Sequence, residues 1–273
     1  MPYVETKDGT RLFYIDGGGG EPVVFVASAW LSSRMWEFQF PELVEQELRC
    51  IAFDRRGHGH SDWPWDGYDY DTLSDDLAAL MDTLDLQNAT LVGHSAGGGE
   101  IVRYLTRHGA SRVKRIALVS ATTPFPMKSE SNPEGTDRAL MEADMAARTA
   151  DRAKWYANHA DSFFGVGLPG IAISPEFVQF MIGQCLGCSA RAATEFFLTG
   201  FETDLREELR TLQVPTLIIH GDHDVQAPIE LCGRKTARLV PNNRFLEYDN
   251  AAHGLFVTHA SRLNADLLDF IQS

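Results

Sequence analysis

Ala89-Thr90-Leu91-Val92-Gly93-His94-Ser95-Ala96-Gly97-Gly98-Gly99 is the stretch on which the reading of this chain turns. An apolar run meets a Gly-x-Ser-x-Gly pentapeptide and passes into a helical pattern, so it reads as strand, sharp turn and helix. The turn holds its serine in a strained backbone conformation, and side chains at Gly93 and Gly97 would collide with it. Ser95 is therefore the expected nucleophile. The Ala96 amide opens the helix that follows, at the positive end of its dipole, where an oxyanion would be received.

A serine hydroxyl needs a base, and the base needs an orienting acid; after such an elbow these follow in the order acid, then histidine. Val214-Pro215-Thr216-Leu217-Ile218-Ile219-His220 reads as a short buried strand, and the turn behind it carries Asp222 and Asp224. Asp224 is the expected acid, because Gly-x-x-Asp followed by Pro228 suits a loop before a helix. Asp222 suits a turn residue bonding its own backbone. Two histidines remain beyond Asp224. His253 lies in the small-residue loop Asn250-Ala251-Ala252-His253-Gly254, within reach of the strand ends, whereas His259 opens the last amphipathic helix as a surface residue. His253 is the expected base. His94 is expected to support the elbow from below.

The other oxyanion donor is expected from the loop after the strand Pro22-Val23-Val24-Phe25-Val26, namely Ala27-Ser28-Ala29-Trp30, with the Ala29 amide donating. Ser28 and Trp30 are expected to border the substrate pocket. Trp36, Ile51-Ala52-Phe53-Asp54-Arg55-Arg56-Gly57-His58-Gly59-His60-Ser61, Pro64-Trp65-Asp66-Gly67-Tyr68-Asp69-Tyr70-Asp71, Gly97-Gly98-Gly99-Glu100 and Ala252-His253-Gly254-Leu255-Phe256-Val257-Thr258-His259 stand alongside these motifs. Together they resemble the α/β-hydrolase subgroup of bacterial arylesterases and cofactor-free haloperoxidases, also called perhydrolases, over nearly the whole chain. The resemblance implies an α/β-hydrolase fold and a Ser-His-Asp triad with no cofactor. Two departures stand out. Ala27-Ser28-Ala29-Trp30 occupies the place of a usual His-Gly-Trp-Pro, and Ala96 stands where methionine is common. The missing indole at 29 implies a roomier acyl site, and the missing proline weighs against efficient peracid formation.

Composition agrees. The chain has 273 residues, 44% of them hydrophobic, enough for one α/β domain with a substantial core. A formal net charge of −14 argues against nucleic acid and anionic membranes as partners. Cys50 before a strand, Cys232 in a helical stretch, and Cys185 and Cys188 in the middle region make no disulfide framework, and Cys185-x-x-Cys188 has no second pair to complete a metal site. His58-Gly59-His60 with Asp54 reads as a structural turn in place of a metal site. The N-terminus has no apolar leader, which points to the cytoplasm, and the oligomeric state, monomer or homo-oligomer, stays open.

Tyr3-Val4 and Leu12-Phe13-Tyr14-Ile15 predict a hairpin about Asp8-Gly9, and Gly17 to Gly20 a loop. Leu73, Leu77, Leu80, Met81 and Leu84 predict a helix capped at Asp71 or Thr72, and Arg115 to Ser120 a buried strand. Strands alternate with helices up to residue 123 and again from 211 to 273, predicting a mainly parallel sheet flanked by helices. Residues 124–210 break the alternation and predict a helical cap rich in aromatics: Phe163, Phe164, Phe177, Phe180, Phe196, Phe197 and Phe201. Most of these rings are expected to pack the cap on itself, with a minority facing the pocket. The expected substrate is a small or medium uncharged carboxylic ester or lactone, cleaved through an acyl-enzyme. Amide or lactam hydrolysis and perhydrolysis are the alternatives, and a non-catalytic receptor on the same scaffold is a third.

Overall fold

A computed structural model describes residues 2–273. Its strands are β1 (Tyr3–Glu5), β2 (Arg11–Gly17), β3 (Pro22–Val26), β4 (Arg49–Phe53), β5 (Ala89–His94), β6 (Val113–Val119), β7 (Thr216–Gly221) and β8 (Asn243–Tyr248), and they form one sheet in the order β1-β2-β4-β3-β5-β6-β7-β8. β1 and β2 pair antiparallel, as does β2 with β4; every pairing from β4 to β8 is parallel. The helices are α1 (Phe40–Glu45), α2 (Tyr70–Thr83), α3 (Ala96–His108), α4 (Arg138–Ala150), α5 (Arg152–Phe164), α6 (Pro175–Leu186), α7 (Ala190–Glu202), α8 (Arg206–Thr211), α9 (Gly233–Leu239), α10 (Leu255–Thr258) and α11 (Ala260–Gln272).

The parallel strands are apolar at consecutive positions because both sheet faces are covered. Val24 and Val26 of β3 face a core shared with Leu73, Leu77 and Leu80 of α2 and Ile101 and Leu105 of α3. Val23 and Phe25 face the opposite core, with Leu43 of α1, Phe256 of α10 and Leu263 and Leu267 of α11. Strand order reverses at β3, which lies between β4 and β5, so the loops leaving β3 and β5 are neighbours at the carboxyl edge. This is where open α/β sheets bind ligands.

α4 to α8 are inserted between β6 and β7. α8 packs on α3 and α9, and its Leu209 joins the sheet core, so core packing resumes ahead of residue 211. Some boundaries differ from the sequence expectation. β2 extends through Gly17, which pairs with Cys50, so Cys50 lies within β4. Cys232 is the residue ahead of α9. The cap of α2 is Asp69, whose side chain accepts from Thr72 N at 2.9 Å, because Tyr70 and Asp71 already belong to the first turn. No helix among the described residues is long and apolar enough to cross a membrane.

Candidate active site

β5 delivers Ser95 to the carboxyl edge and α3 begins at the next residue, so the chain reverses direction over one residue. Ser95 has φ 55° and ψ −125°, a conformation that side-chain-bearing residues rarely adopt. Close passage of α3 across β5 and β3 makes this feasible only with glycines beside it. A Cβ on Gly93 would lie 2.7 Å from Ile101 Cδ1, and one on Gly97 would lie 2.7 Å from the carbonyls of Val26 and Ala27. Backbone hydrogen bonds fix the turn, from Ser95 N to Val119 O at 3.0 Å and from Gly98 N to Ser95 O at 3.1 Å.

β7 and β8 are paired through Gly221 and Tyr248, so the loops that leave them emerge together. His253 Nδ1–H donates to Asp224 Oδ2 at 2.7 Å, and both residues are buried. The other carboxylate oxygen accepts from Ala227 N at 2.8 Å, and His220 Nε2 lies 3.4 Å from Oδ2 while bonding the Ala227 carbonyl at 2.7 Å. Burial alone would raise the Asp224 carboxyl. The charge of His253 and the bonds from His220 and His253 outweigh it, leaving the group below the usual carboxylate range. An ionised acid on Nδ1 leaves Nε2 as the imidazole atom free to take a proton.

Asp222 differs from the sequence expectation. Its Oδ1 reaches the next strand's loop, accepting from Ala251 N at 3.3 Å, and meets His223 Nδ1 at 2.6 Å, so it tethers the His253 loop rather than its own backbone. His94 braces the same loop. Fully buried between Trp36, Phe256 and His253, it donates from Nε2 to the His253 carbonyl at 2.9 Å. Its support goes to His253 more than to the elbow. Burial, then the charge of His253, hold it well below the ordinary imidazole range, so it stays neutral. His259 stands ahead of α11 with Nδ1 3.0 Å from Thr258 Oγ1, apart from the cavity.

Ser95 and His253 face one cavity of about 420 Å³, which Ser28, Ala29, Trp30 and Ala96 also line. Two residues that sequence reasoning passed over as motif letters hold the β3 loop. Arg55 Nη2 donates to Ala27 O at 2.9 Å and Nη1 to Ser28 O at 3.4 Å, while Nε pairs with Glu100 of α3 at 2.8 Å in full burial. A glutamate on the buried face of α3, beside Ile101, was the available signal. Asp54 has a loop role of the same kind, accepting from Ser33 N at 2.7 Å and His60 N at 2.8 Å, and His58 Nδ1–H donates to Arg56 O at 2.8 Å.

The cavity roof overturns one expectation. Phe163, Phe164, Phe196, Phe197 and Phe201 all line it, and of the seven rings only Phe177 and Phe180 stay outside, packed on each other. Trp155, Tyr156, Met141 and Met181 add to the apolar wall. Asp144 is the single carboxylate among the described lining residues, and neither lysine nor arginine is present there. Cys185 and Cys232 reach the cavity as free thiols, and burial pushes the Cys185 thiol up to about 12, which keeps it protonated and inert.

An elbow serine, a histidine–aspartate pair and a capped parallel sheet define a class, and the comparison with known proteins agrees: the family model for the alpha/beta hydrolase fold matches residues 11–155, and the chain belongs to that family. Within it, the chain falls in the non-heme haloperoxidase, perhydrolase and esterase group. It is 40% identical to a non-heme haloperoxidase of Rhodococcus erythropolis and 38% identical to the bifunctional esterase/perhydrolase DCH of Acinetobacter calcoaceticus, covering 100% of each chain in both cases. The crystal structure of a bromoperoxidase from Bacillus anthracis matches with a TM-score of 0.95 at 37% identity, covering 100% of this chain and 99% of that one. It is a hydrolase of the esterase/perhydrolase type.

Proposed function

We propose that the chain hydrolyses small or medium uncharged carboxylic esters and lactones by acyl transfer. His253 Nε2 takes the Ser95 proton as the hydroxyl oxygen attacks the carbonyl carbon, and Asp224 orients the imidazole and stabilises its charged form. The Ala29 and Ala96 amides receive the oxyanion. His253 then gives its proton to the leaving oxygen, and water releases the acid from Ser95 by the same path in reverse. The observation that carries this reading is the buried 2.7 Å His253–Asp224 bond, with His253 and Ser95 facing one cavity. An apolar wall whose one carboxylate is Asp144 favours uncharged over anionic substrates, since a carboxylate there would lose hydration without a cation to replace it. The test is turnover of an aryl acetate together with covalent labelling by a fluorophosphonate; a wild-type chain that neither turns over nor labels at Ser95 sinks the reading.

The haloperoxidase and esterase/perhydrolase names of the relatives favour a second reading on the same machinery. Hydrogen peroxide replaces water as the acyl acceptor, so the acyl-enzyme yields a peracid and free Ser95. Trp30 in place of the resembling enzymes' proline weighs against efficiency here. Peracid formation from acetate and peroxide, measured beside hydrolysis of the aryl acetate, ranks the two activities.

A further inference from the structure

Trp30 is the single aromatic residue at positive φ among the described residues, at 67°. A bulky residue holds that conformation only where its surroundings over-determine it. Here the surroundings are three cap helices. The indole Nε1–H donates to Ala193 O of α7 at 3.0 Å. The ring meets Trp155 edge-on at 5.4 Å and Tyr156 at 5.5 Å, both from α5, and stacks on Phe197 of α7 at 5.9 Å.

The guanidinium of Arg148, from α4, closes the arrangement. Its carbon lies 4.6 Å from the Trp30 ring centre, 4.4 Å from Phe197 and 5.7 Å from Trp155. Arg148 is 1% exposed, and neither Nη1 nor Nη2 has a hydrogen-bond partner among the described residues. It does not line the cavity, whereas all three rings do. Asp144, one turn back on α4, spends Oδ1 on Trp155 Nε1 at 2.9 Å and forms no ion pair with it. Burying a guanidinium without hydrogen bonds is unfavourable, and ring faces offset only part of that loss. For packing alone a methionine would serve better.

The residue before Trp30 is Ala29. Arg55 holds this loop from the sheet side through the carbonyls of Ala27 and Ser28, and the cap holds it through the Trp30 ring. We propose that Arg148 is a positioning residue: by pinning the Trp30 indole to the cap it fixes the loop that presents the Ala29 amide, so that a seated cap and a formed oxyanion site go together. This rests on the acyl-transfer reading above, in which Ala29 is a donor.

The test uses the full chain with Arg148→Met, Arg148→Gln and Arg148→Lys. Hydrogen exchange of the Trp30 indole Nε1–H, assigned by nitrogen-15 NMR against Trp30→Phe, reads the clamp without reference to catalysis. Exchange should speed up in the methionine and glutamine variants and less in the lysine variant. On an aryl acetate, kcat should fall about tenfold in Arg148→Met with KM within about twofold, because a small displacement of a donor costs rate more than binding. The melting temperature should hold or rise, since an unpaired buried charge has gone. Lysine, which keeps the charge and loses the planar face, should recover part of kcat. A kcat that stays at the wild-type value overturns the proposal, as does one that falls only in step with the melting temperature. Arg148→Gln decides the matter should the methionine variant not fold. If the wild-type chain itself neither turns over nor labels, the hydrolase reading falls and takes this proposal with it; normal wild-type turnover with an indifferent Arg148→Met removes this proposal alone.

Discussion

The floor of the cavity and its roof are built on opposite principles. In the floor, the groups that position the histidine and the β3 loop are hydrogen-bonded: Asp224 uses both oxygens, His253 is held at its ring and its carbonyl, and Arg55 is paired with Glu100. In the roof, aromatic faces dominate, and the buried cation Arg148 has rings where hydrogen bonds would be expected. A hydrogen-bonded floor fixes atoms to fractions of an ångström, which proton transfer and oxyanion stabilisation require. Packed rings constrain shape, and shape selects substrates. Changes to the floor should therefore alter rate at nearly constant selectivity, and changes to the rings that line the roof the reverse, with the Arg148–Trp30 contact as the point where the roof reaches the floor and so acts on rate.

The comparison breaks most severely at Ser95. Ser95→Ala removes one hydroxyl from a turn whose glycines remain, so with the fold retained labelling should vanish and turnover should drop to a residual rate on the order of 10³ to 10⁴ over the uncatalysed reaction. His253→Ala should fall to nearly the same level, because the triad acts as a unit. Near-normal hydrolysis of an activated ester by His253→Ala would show that another group is the base.

Next in size is the contrast between the two acids, both in the floor. Asp224→Asn turns the imidazole to the wrong tautomer and should cut kcat by about 10⁴. Asp222→Asn, which weakens only a 3.3 Å tether to Ala251 and a contact with His223, should cost far less. Steady-state kinetics on one aryl acetate ranks them, and the reverse order would reassign the acid.

That the floor could be read from sequence and the roof could not has a physical cause. The Ser95 turn needs Gly93 and Gly97 for steric reasons, and the acid and base must sit just past strands, so residue type and spacing report directly on place. Asp222 shows the limit even there: its identity as a turn acid is visible, whereas its bond to Ala251 depends on β7 and β8 being neighbours. In the cap, helix periodicity says that Phe163, Phe164, Phe196, Phe197 and Phe201 are apolar-facing but not whether the face meets another helix or a cavity. Arg148 is the extreme case, since an arginine in a charged helix reads as solvated and only tertiary packing buries it.

Ala29 lies on the seam, so its two substitutions separate rate from selectivity. Ala29→Pro deletes the amide hydrogen and should lower kcat by roughly 10² to 10³, the loss expected for one oxyanion donor, with circular dichroism confirming the fold. Ala29→Trp keeps the amide and restores the bulk of the resembling esterases. Acetyl esters should survive it while branched or aromatic acyl esters and bulky lactones lose kcat/KM. The readout is the ratio of kcat/KM for a bulky ester to that for the acetate. An unchanged ratio would remove residue 29 from the acyl pocket.

The smallest effect concerns stability, and it tests whether the floor is as dry as its hydrogen bonding implies. His58 is fully buried beneath Phe196, with its Nδ1–H on the Arg56 carbonyl. Burial, with the nearby Arg55 charge adding to it, pushes the imidazole down to about 3, against the partial support of that hydrogen bond. In the unfolded chain the same group titrates near 6.5. Between those values the unfolded state binds the extra proton, so stability rises with pH: the contribution is intact above about 6.5 and is lost progressively as pH falls towards 3. Taking His58 alone, moving from pH 7 to pH 5 should cost about 2 kcal/mol. His58→Asn retains an N–H donor and removes the titration, so urea unfolding at the two pH values should show the variant losing less stability than wild type by about that amount. His94 keeps its own neutral burial in both proteins and should leave a shared residual slope. Equal losses in wild type and variant would mean that His58 gains its proton without unfolding, and the floor would then be wetter than its packing indicates.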